Sequence, residues 1–155
     1  MKNNILKVLL ILVISSLALM GCSEEEKSHK HPAQEVVEKH FQYKKEKNIN
    51  KFISTHSETM EDIYKNQGVY KWDTLKDIKL LSIDEEKDEN YKKGYLTNGR
   101  GSINGTTAEN LKVYKVEYEI KFNAPGPQES GRYTWWYYVI RKDTDSPWLI
   151  DDYGI

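Results

Sequence analysis

The chain has very little cysteine, since Cys22 is the only one among its 155 residues. An intramolecular disulfide bond is therefore excluded, and apolar side chains alone must supply the stability of the core. The chain also has no excess of positive charge, because 23 lysines and arginines stand against 24 aspartates and glutamates. Without a basic surface, the sequence gives no electrostatic basis for binding nucleic acid, and no nucleic-acid partner is predicted.

A membrane-spanning helix is not expected either. The longest apolar run, Val8–Met20, is shorter than the roughly 20 residues that such a helix needs, and two serines interrupt it. Two lysines precede this run, and Gly21 follows it directly before Cys22. A positive start, a short apolar stretch and a small residue are typical of a cleaved export signal. The tetrad Leu19-Met20-Gly21-Cys22 resembles the lipobox of bacterial lipoproteins, in which the cysteine is lipidated and becomes the mature N-terminus.

This resemblance implies a lipoprotein signal peptide over residues 1–21 and a lipid, such as palmitate, on Cys22. The predicted location is the extracytoplasmic face of the cell membrane, and the membrane is the first predicted partner. Residues 22–31 have no apolar side chain after the cysteine, which predicts a flexible tether. Residues 32–155 are enough for a single domain.

The N-terminal part of this domain has helical periodicity. Apolar residues that recur after Pro32 predict a first helix over residues 32–47, in which His40 is the polar member of the apolar face. Shorter helices are predicted over residues 51–56 and 58–65, with the second ending near Gly68.

From residue 72 onward the period changes to the alternation of strands. Strands are predicted at residues 75–84, 111–122, 132–142 and 148–153, joined by turns. The strand at 132–142 is apolar or aromatic on both faces, which predicts an interior strand covered by helices. Residues 91–107 contain two Asn-Gly dipeptides, which favour tight hairpins and predict a short strand or edge pair. Helices followed by an antiparallel meander predict the α+β class.

Four strings of this sequence resemble one protein family. They are IKLLSIDEE at residues 78–86, VYKVEYEIKF at 113–122, GRYTWWYYVIRK at 131–142 and WLIDDYG at 148–154. Together they are similar to domain of unknown function 4829, which occurs in lipoproteins of Gram-positive bacteria. The resemblance implies the nuclear-transport-factor-2-like superfamily, a cystatin-like cone in which N-terminal helices pack on a curved antiparallel sheet. It implies no activity, because such cones include both enzymes and binding domains.

Few groups in the sequence suit catalysis. Nucleophile, phosphate-binding and metal-binding motifs are missing, so no cofactor or metal is predicted. His40 is a candidate base, although a histidine on an apolar helix face is also typical of a core residue that donates to a carbonyl. Asp151 and Asp152 are further candidates, although adjacent acids on a terminal strand are also typical of a solvated strand end. His56, near a helix end, is interpreted as a capping or surface residue.

Aromatic side chains on the strands offer a different kind of site. Tyr114, Tyr118, Trp135 and Tyr137 suit the binding of a small apolar or sugar-like ligand, or they fill the core of the cone. The predicted function is therefore a non-catalytic domain, on a membrane-anchored lipoprotein, that binds a small ligand or another protein. Two alternatives stay open: a cone-fold enzyme acting on a small hydrophobic substrate, and a subunit of an envelope assembly, including a homodimer.

Overall fold

The computed structural model describes residues 30–154 of the chain. The predicted signal peptide, Cys22 and most of the predicted tether lie outside the described residues. Within the described part, no helix combines the length and the apolar character that crossing a membrane would need.

Three helices open the described chain: α1 at Pro32–Lys45, α2 at Ile49–Ile53 and α3 at Glu58–Gln67. All three lie close to their predicted positions. Helix α1 begins at a proline, and its cap is the ring of His31, which accepts a hydrogen bond from the backbone N–H of Ala33 at 3.2 Å. Helix α3 ends at Gly68, whose φ of 75° lies in the region that favours glycine.

Four strands form one antiparallel sheet: β1 at Leu75–Glu85, β2 at Leu111–Phe122, β3 at Gly131–Ile140 and β4 at Leu149–Gly154. Each strand pairs with the next one in chain order, so β1 and β4 are the two edges of a curved, unclosed sheet. The predicted meander and the α+β class are confirmed. Beside β4, His56 forms a short parallel bridge to Ile150, which holds the start of α3 against the sheet.

The prediction of a short strand or edge pair within residues 91–107 is wrong. This segment instead holds most of a helix, α4 at Glu89–Asn98, and a second short helix, α5 at Gly101–Asn104. Asp88 caps α4, because its side chain accepts a hydrogen bond from the backbone N–H of Asn90 at 2.9 Å. The two Asn-Gly dipeptides stand at the ends of these helices, where glycine is also favoured, and not in hairpin turns.

Helix α4 is held in place by aromatic stacking on the sheet. Its Tyr91 and Tyr95 lie one helical turn apart and stack on Trp136 and Tyr138 of β3, with ring centroids 4.6 and 4.8 Å apart. These rings form a cluster with the start of β2. The pairing of two helical tyrosines with two strand aromatics overrides the turn signals of the segment.

The sheet is therefore covered on both faces. On one face α1 packs against the main core, which includes Val116 of β2 together with Tyr137 and Val139 of β3. On the other face α4 covers the alternate residues of the same strands. Strand β3 lies between β2 and β4, so the predicted interior strand with helices on both sides is confirmed.

Truncation of Phe41 to alanine should destabilise the domain strongly. The Phe41 ring is buried and packs on Tyr118 and Tyr137, so its loss leaves a cavity that costs about 3–5 kcal/mol of the free energy of unfolding. Urea unfolding followed by tryptophan fluorescence measures this. The control is Leu81→Ala on edge strand β1, where the side chain is 36% exposed and the expected loss is below about 0.5 kcal/mol. Equal losses for both variants would contradict the packing described.

Candidate functional site

A β-bulge in β4 brings two neighbouring acids to one face of the sheet. Tyr138 pairs with Asp152 and the next residue, Val139, pairs with Ile150, so Asp151 is the extra, unpaired residue. A regular strand would point Asp151 and Asp152 to opposite faces, whereas a bulge redirects the side chains beside it. Both carboxylates contact residues of the segment that contains α4 and α5.

Asp151 is a buried carboxylate, with 2% of its surface exposed. Its Oδ2 accepts a hydrogen bond from the hydroxyl of Tyr95 at 2.5 Å and another from the side-chain amide of Asn104 at 3.1 Å. Burial raises the pKa of the Tyr95 hydroxyl and the bond to Asp151 raises it further, so the proton stays on the tyrosine. The other oxygen, Oδ1, has no hydrogen-bond donor in the part of the chain that the structure describes. The interpretation of Asp151 as a solvated strand end is wrong.

Glycine at position 101 makes this arrangement possible. A Cβ atom added to Gly101 would lie 2.7 Å from the Cε1 atom of Tyr95, which is too close for any side chain. Because Gly101 has none, α5 can pack directly on the tyrosine ring. Asn104, at the other end of α5, then reaches Asp151.

Asp152 has a different environment. Its Oδ2 lies 3.8 Å from Nε of Arg100, and its carboxyl is about half-buried. Burial raises the pKa of Asp152, while the charge of Arg100 acts in the opposite direction. The Nη1 atom of Arg100 is buried, and no acceptor within residues 30–154 contacts it.

An open cleft of about 570 Å³ reaches Asp151, and we call it the Asp151 cleft. Its wall includes Ser57 at the start of α3, whose hydroxyl is buried and lacks a hydrogen-bond partner in the described chain. The charges along its lining balance, because Glu58 and Asp151 are accompanied by Arg141 and Lys142. The cleft therefore suits a ligand with hydrogen-bonding groups and little net charge.

A smaller depression of about 190 Å³, which we call the Asp151 recess, adjoins this cleft. The two share Thr59, Asn104 and Asp151, and the recess adds Arg100 and Ile103. The recess thus lies between the start of α3 and helix α5, with an acid and a base in one small lining. None of its polar members except Asp151 was singled out from the sequence.

Two histidines form a pair elsewhere, inside the main core. His40 and His56 are both almost completely buried, with Nδ1 of His40 lying 3.1 Å from Nε2 of His56. The Nδ1 of His56 lies 2.9 Å from the carbonyl oxygen of Phe52, which can only accept, so this nitrogen carries the proton. Neutral His56 then accepts at Nε2 from His40. The interpretation of His56 as a surface residue is therefore wrong, whereas its contact with the carbonyl of Phe52, in the last turn of α2, fits the capping alternative.

Burial makes this pair hard to protonate. It lowers the pKa of His56 to about 4 and the pKa of His40 well below the usual value, and the ammonium group of Lys44 adds to both effects. The Nε2 of His40 has no donor among the described residues. His40 lines neither the cleft nor the recess, so its role as a base stays a prediction.

The four aromatic residues that the sequence suggests as ligand contacts lie in the core. Tyr114, Tyr118 and Tyr137 are almost fully buried, and Trp135 packs against the same cluster. None of the four lines the Asp151 cleft or the Asp151 recess. Their role in ligand binding stays a prediction.

Sequence reasoning missed Tyr95, Asn104, Arg100 and Ser57. The first three belong to the segment for which a strand or edge pair was predicted, so no signal connected them with Asp151. Ser57 precedes a predicted helix, and its position beside β4 depends on the parallel bridge at Ile150. As for metals, no group of three or more potential ligands occurs within the residues that the structure describes.

The residues that line the cleft all lie in a region that one known family matches. The family described as a domain of unknown function (DUF4829) matches residues 34–154. The chain belongs to this family. The DUF4829 domain thus extends from the first turn of α1 through β4 and contains the whole lining of the Asp151 cleft. No curated protein matches the chain.

The histidine pair should make the stability of the domain fall in mild acid. The folded pKa of His56 is depressed to about 4, so the unfolded chain, with a pKa near 6.5, binds a proton that the folded chain excludes. The contribution of neutral His56 to the free energy of unfolding is fully present above about pH 6.5. It is lost as the pH falls toward 4, and the loss is about 3 kcal/mol for His56 alone. Urea unfolding at several values between pH 5 and 7 measures this decline.

The variant His56→Gln serves as the comparison for this pH effect. It should reduce the slope of unfolding free energy against pH by one proton, which is about 1.4 kcal/mol per pH unit near pH 5. His31→Gln, at the exposed cap of α1, should change the slope much less. A slope that stays the same in His56→Gln would contradict a neutral buried pair.

Proposed function

We propose that this protein is a lipoprotein anchored through Cys22 to the extracytoplasmic face of the cell membrane, and that its DUF4829 domain binds a small ligand in the Asp151 cleft. The observation that carries the binding proposal is the Asp151 carboxylate at the wall of an open cleft, where its Oδ1 atom receives no hydrogen bond from residues 30–154. This oxygen is not among the atoms that are buried without a partner, so it is open to the cleft, where a ligand that donates to it replaces water.

The site is also preorganised for binding. Tyr95 and Asn104 both donate to Oδ2, and these two bonds fix the orientation of the carboxylate. Oδ1 is thereby left without a bond to either donor. Tyr95 and Asn104 stand on helices α4 and α5, and Asp151 stands on strand β4, so packing of these elements holds the geometry of the carboxylate. Rigid positioning reduces the ordering cost of binding.

The superfamily assignment is part of the same proposal. Helix α1 packed on a curved, unclosed antiparallel sheet supports a nuclear-transport-factor-2-like cone. The interior of this cone is filled with aromatic side chains and leaves little space for a ligand. This supports the outer cleft as the ligand site.

The anchor proposal rests on the tetrad before Cys22 and is compatible with the described chain. Seven residues lie between Cys22 and Lys30, so the eight steps from one residue to the next span at most about 28 Å between the lipid and the domain. The Asp151 cleft shares Arg141, Ser146 and Pro147 with a second depression that Pro32 also lines. The cleft therefore lies near the end of the domain where the anchored chain enters.

A second candidate function is acid–base catalysis at Asp151. The observation in its favour is the 2.5 Å hydrogen bond from the Tyr95 hydroxyl, which keeps a buried carboxylate oriented toward an open cleft. A catalyst would release an altered molecule, whereas a binding domain would return the same molecule. The mass of the ligand before and after incubation with the protein separates the two functions.

Native mass spectrometry of the full chain, purified in detergent from its own host, tests the binding proposal. The wild-type protein should retain a small molecule. The fraction of protein that carries this molecule should be at least tenfold lower in the near-isosteric variant Asp151→Asn, because the charge that fixes the ligand is gone. Asp84→Asn, at an exposed position of β1, removes the same charge far from the cleft and should retain the ligand. Equal retention by Asp151→Asn and wild type would refute the Asp151 site.

Membrane fractionation tests the anchor. Wild-type protein should stay in the membrane pellet after carbonate washing, because two acyl chains of ~14 methylenes bind with an energy on the order of 20 kcal/mol. Treatment with globomycin, which blocks removal of lipoprotein signal peptides, should leave a slower-migrating precursor. Unchanged migration, together with a Cys22→Ala form that is processed like wild type, would refute lipidation.

A further inference from the structure

The Asp151 recess contains two charged groups that do not satisfy each other. The Oδ1 atom of Asp151 receives no hydrogen bond from the described residues, and Nη1 of Arg100 is buried without an acceptor there. Arg100 forms its ion pair with Asp152, and no nitrogen of Arg100 lies within 4 Å of the Asp151 carboxylate. Both residues line the same 190 Å³ depression, and the Arg100 side chain as a whole is 30% exposed.

These unmet groups have opposite requirements. Oδ1 of Asp151 needs a donor and favours a positive charge, while Nη1 of Arg100 needs an acceptor and favours a negative one. A ligand with only an ammonium group would leave Nη1 of Arg100 without an acceptor. A ligand with only a carboxylate would be repelled by Asp151. A single molecule that carries both groups satisfies both residues.

The surroundings of the recess indicate the rest of the ligand. Ile103 lines the recess and is 87% exposed, which is unusual for a large apolar side chain beside a polar site. Ile140 and Leu149 add apolar surface in the adjoining Asp151 cleft. An apolar body next to the charged groups would cover these side chains.

We propose that the recess binds a small zwitterion of the amino-acid type, with its ammonium group on Asp151, its carboxylate on Arg100 and an apolar side chain against Ile103. This inference rests on the proposed function, since it names the chemical class of the ligand for the same site. The lining charges of the wider cleft balance, which agrees with a ligand of zero net charge.

Thermal unfolding of the full chain in detergent, followed by tryptophan fluorescence, tests the ligand class with a matched set of probes. L-leucine carries both groups, 3-methylbutylamine lacks the carboxylate, and 4-methylpentanoate lacks the ammonium group. A second zwitterion, 6-aminohexanoate, has a longer spacing between its charges. At equal ionic strength, at least one zwitterion should raise the unfolding temperature in a concentration-dependent manner, with an apparent affinity at least tenfold higher than that of either single-charge probe.

Two variants and two charge-matched controls locate the effect. Asp151→Asn and Arg100→Gln should each reduce the apparent affinity for the zwitterion at least tenfold. Asp84→Asn and Arg132→Gln carry the same charge changes at exposed positions of β1 and β3 and should bind as wild type does. The unfolding temperature of each variant without probe shows whether it folds. A variant that does not fold is replaced by Ile103→Ser at the exposed edge of the recess, which should also weaken binding.

Three results would overturn the inference. These are no stabilisation by either zwitterion, equal stabilisation by a single-charge probe, and stabilisation that is unchanged in both recess variants. Equal stabilisation by the amine alone, if it is lost in Asp151→Asn, would refute the zwitterion and leave the proposed binding function in place. Failure of the binding function itself would appear separately, as no Asp151-dependent molecule in native mass spectrometry.

Discussion

Strand β3 has apolar or aromatic side chains on both faces, and the rest of the architecture follows from the need to cover both. Helix α1 covers one face, and helix α4 covers the other. Exposure of either face would leave a large aromatic patch in water, at roughly 25 cal/mol per Å² of apolar surface. The second face is covered by a helix that lies between β1 and β2 in the chain. This helix, α4, also places the Tyr95 hydroxyl against Asp151.

The candidate site is thus a consequence of how the second face is covered. Tyr95 stacks on Tyr138 with its ring and donates to Asp151 with its hydroxyl, so one side chain belongs to both the packing and the site. The bulge in β4 turns Asp151 toward this ring, and Gly101 lets α5 approach it. A change in how α4 packs on β3 would therefore change the geometry of the Asp151 carboxylate.

Much of the fold can be predicted from the sequence, because its signals are local. Alternation in residues 111–122 and the helical stripe after Pro32 each depend on side chains within one element. The segment 91–107 could not be predicted in this way, because its Asn-Gly dipeptides suit both hairpins and helix ends, and stacking on Trp136 and Tyr138 decides between them. The site was largely unpredictable for a related reason. Asp151 was recognised as a candidate, but its burial depends on a bulge and on residues about 50 positions earlier in the chain.

The two buried polar clusters differ in what they require of their surroundings. His40 and His56 stay neutral because burial lowers their pKa values, so the pair avoids the cost of an enclosed charge, although Nε2 of His40 has no donor among the described residues. Asp151 accepts hydrogen bonds from two neutral donors at Oδ2, yet Oδ1 has no donor in the described chain. A carboxylate that served stability alone would be poorly placed there, since an apolar side chain of similar volume is often at least as stabilising. This oxygen is open to the cleft, where we propose that a ligand donates to it, and Arg100 in the same recess restricts which ligand group that can be.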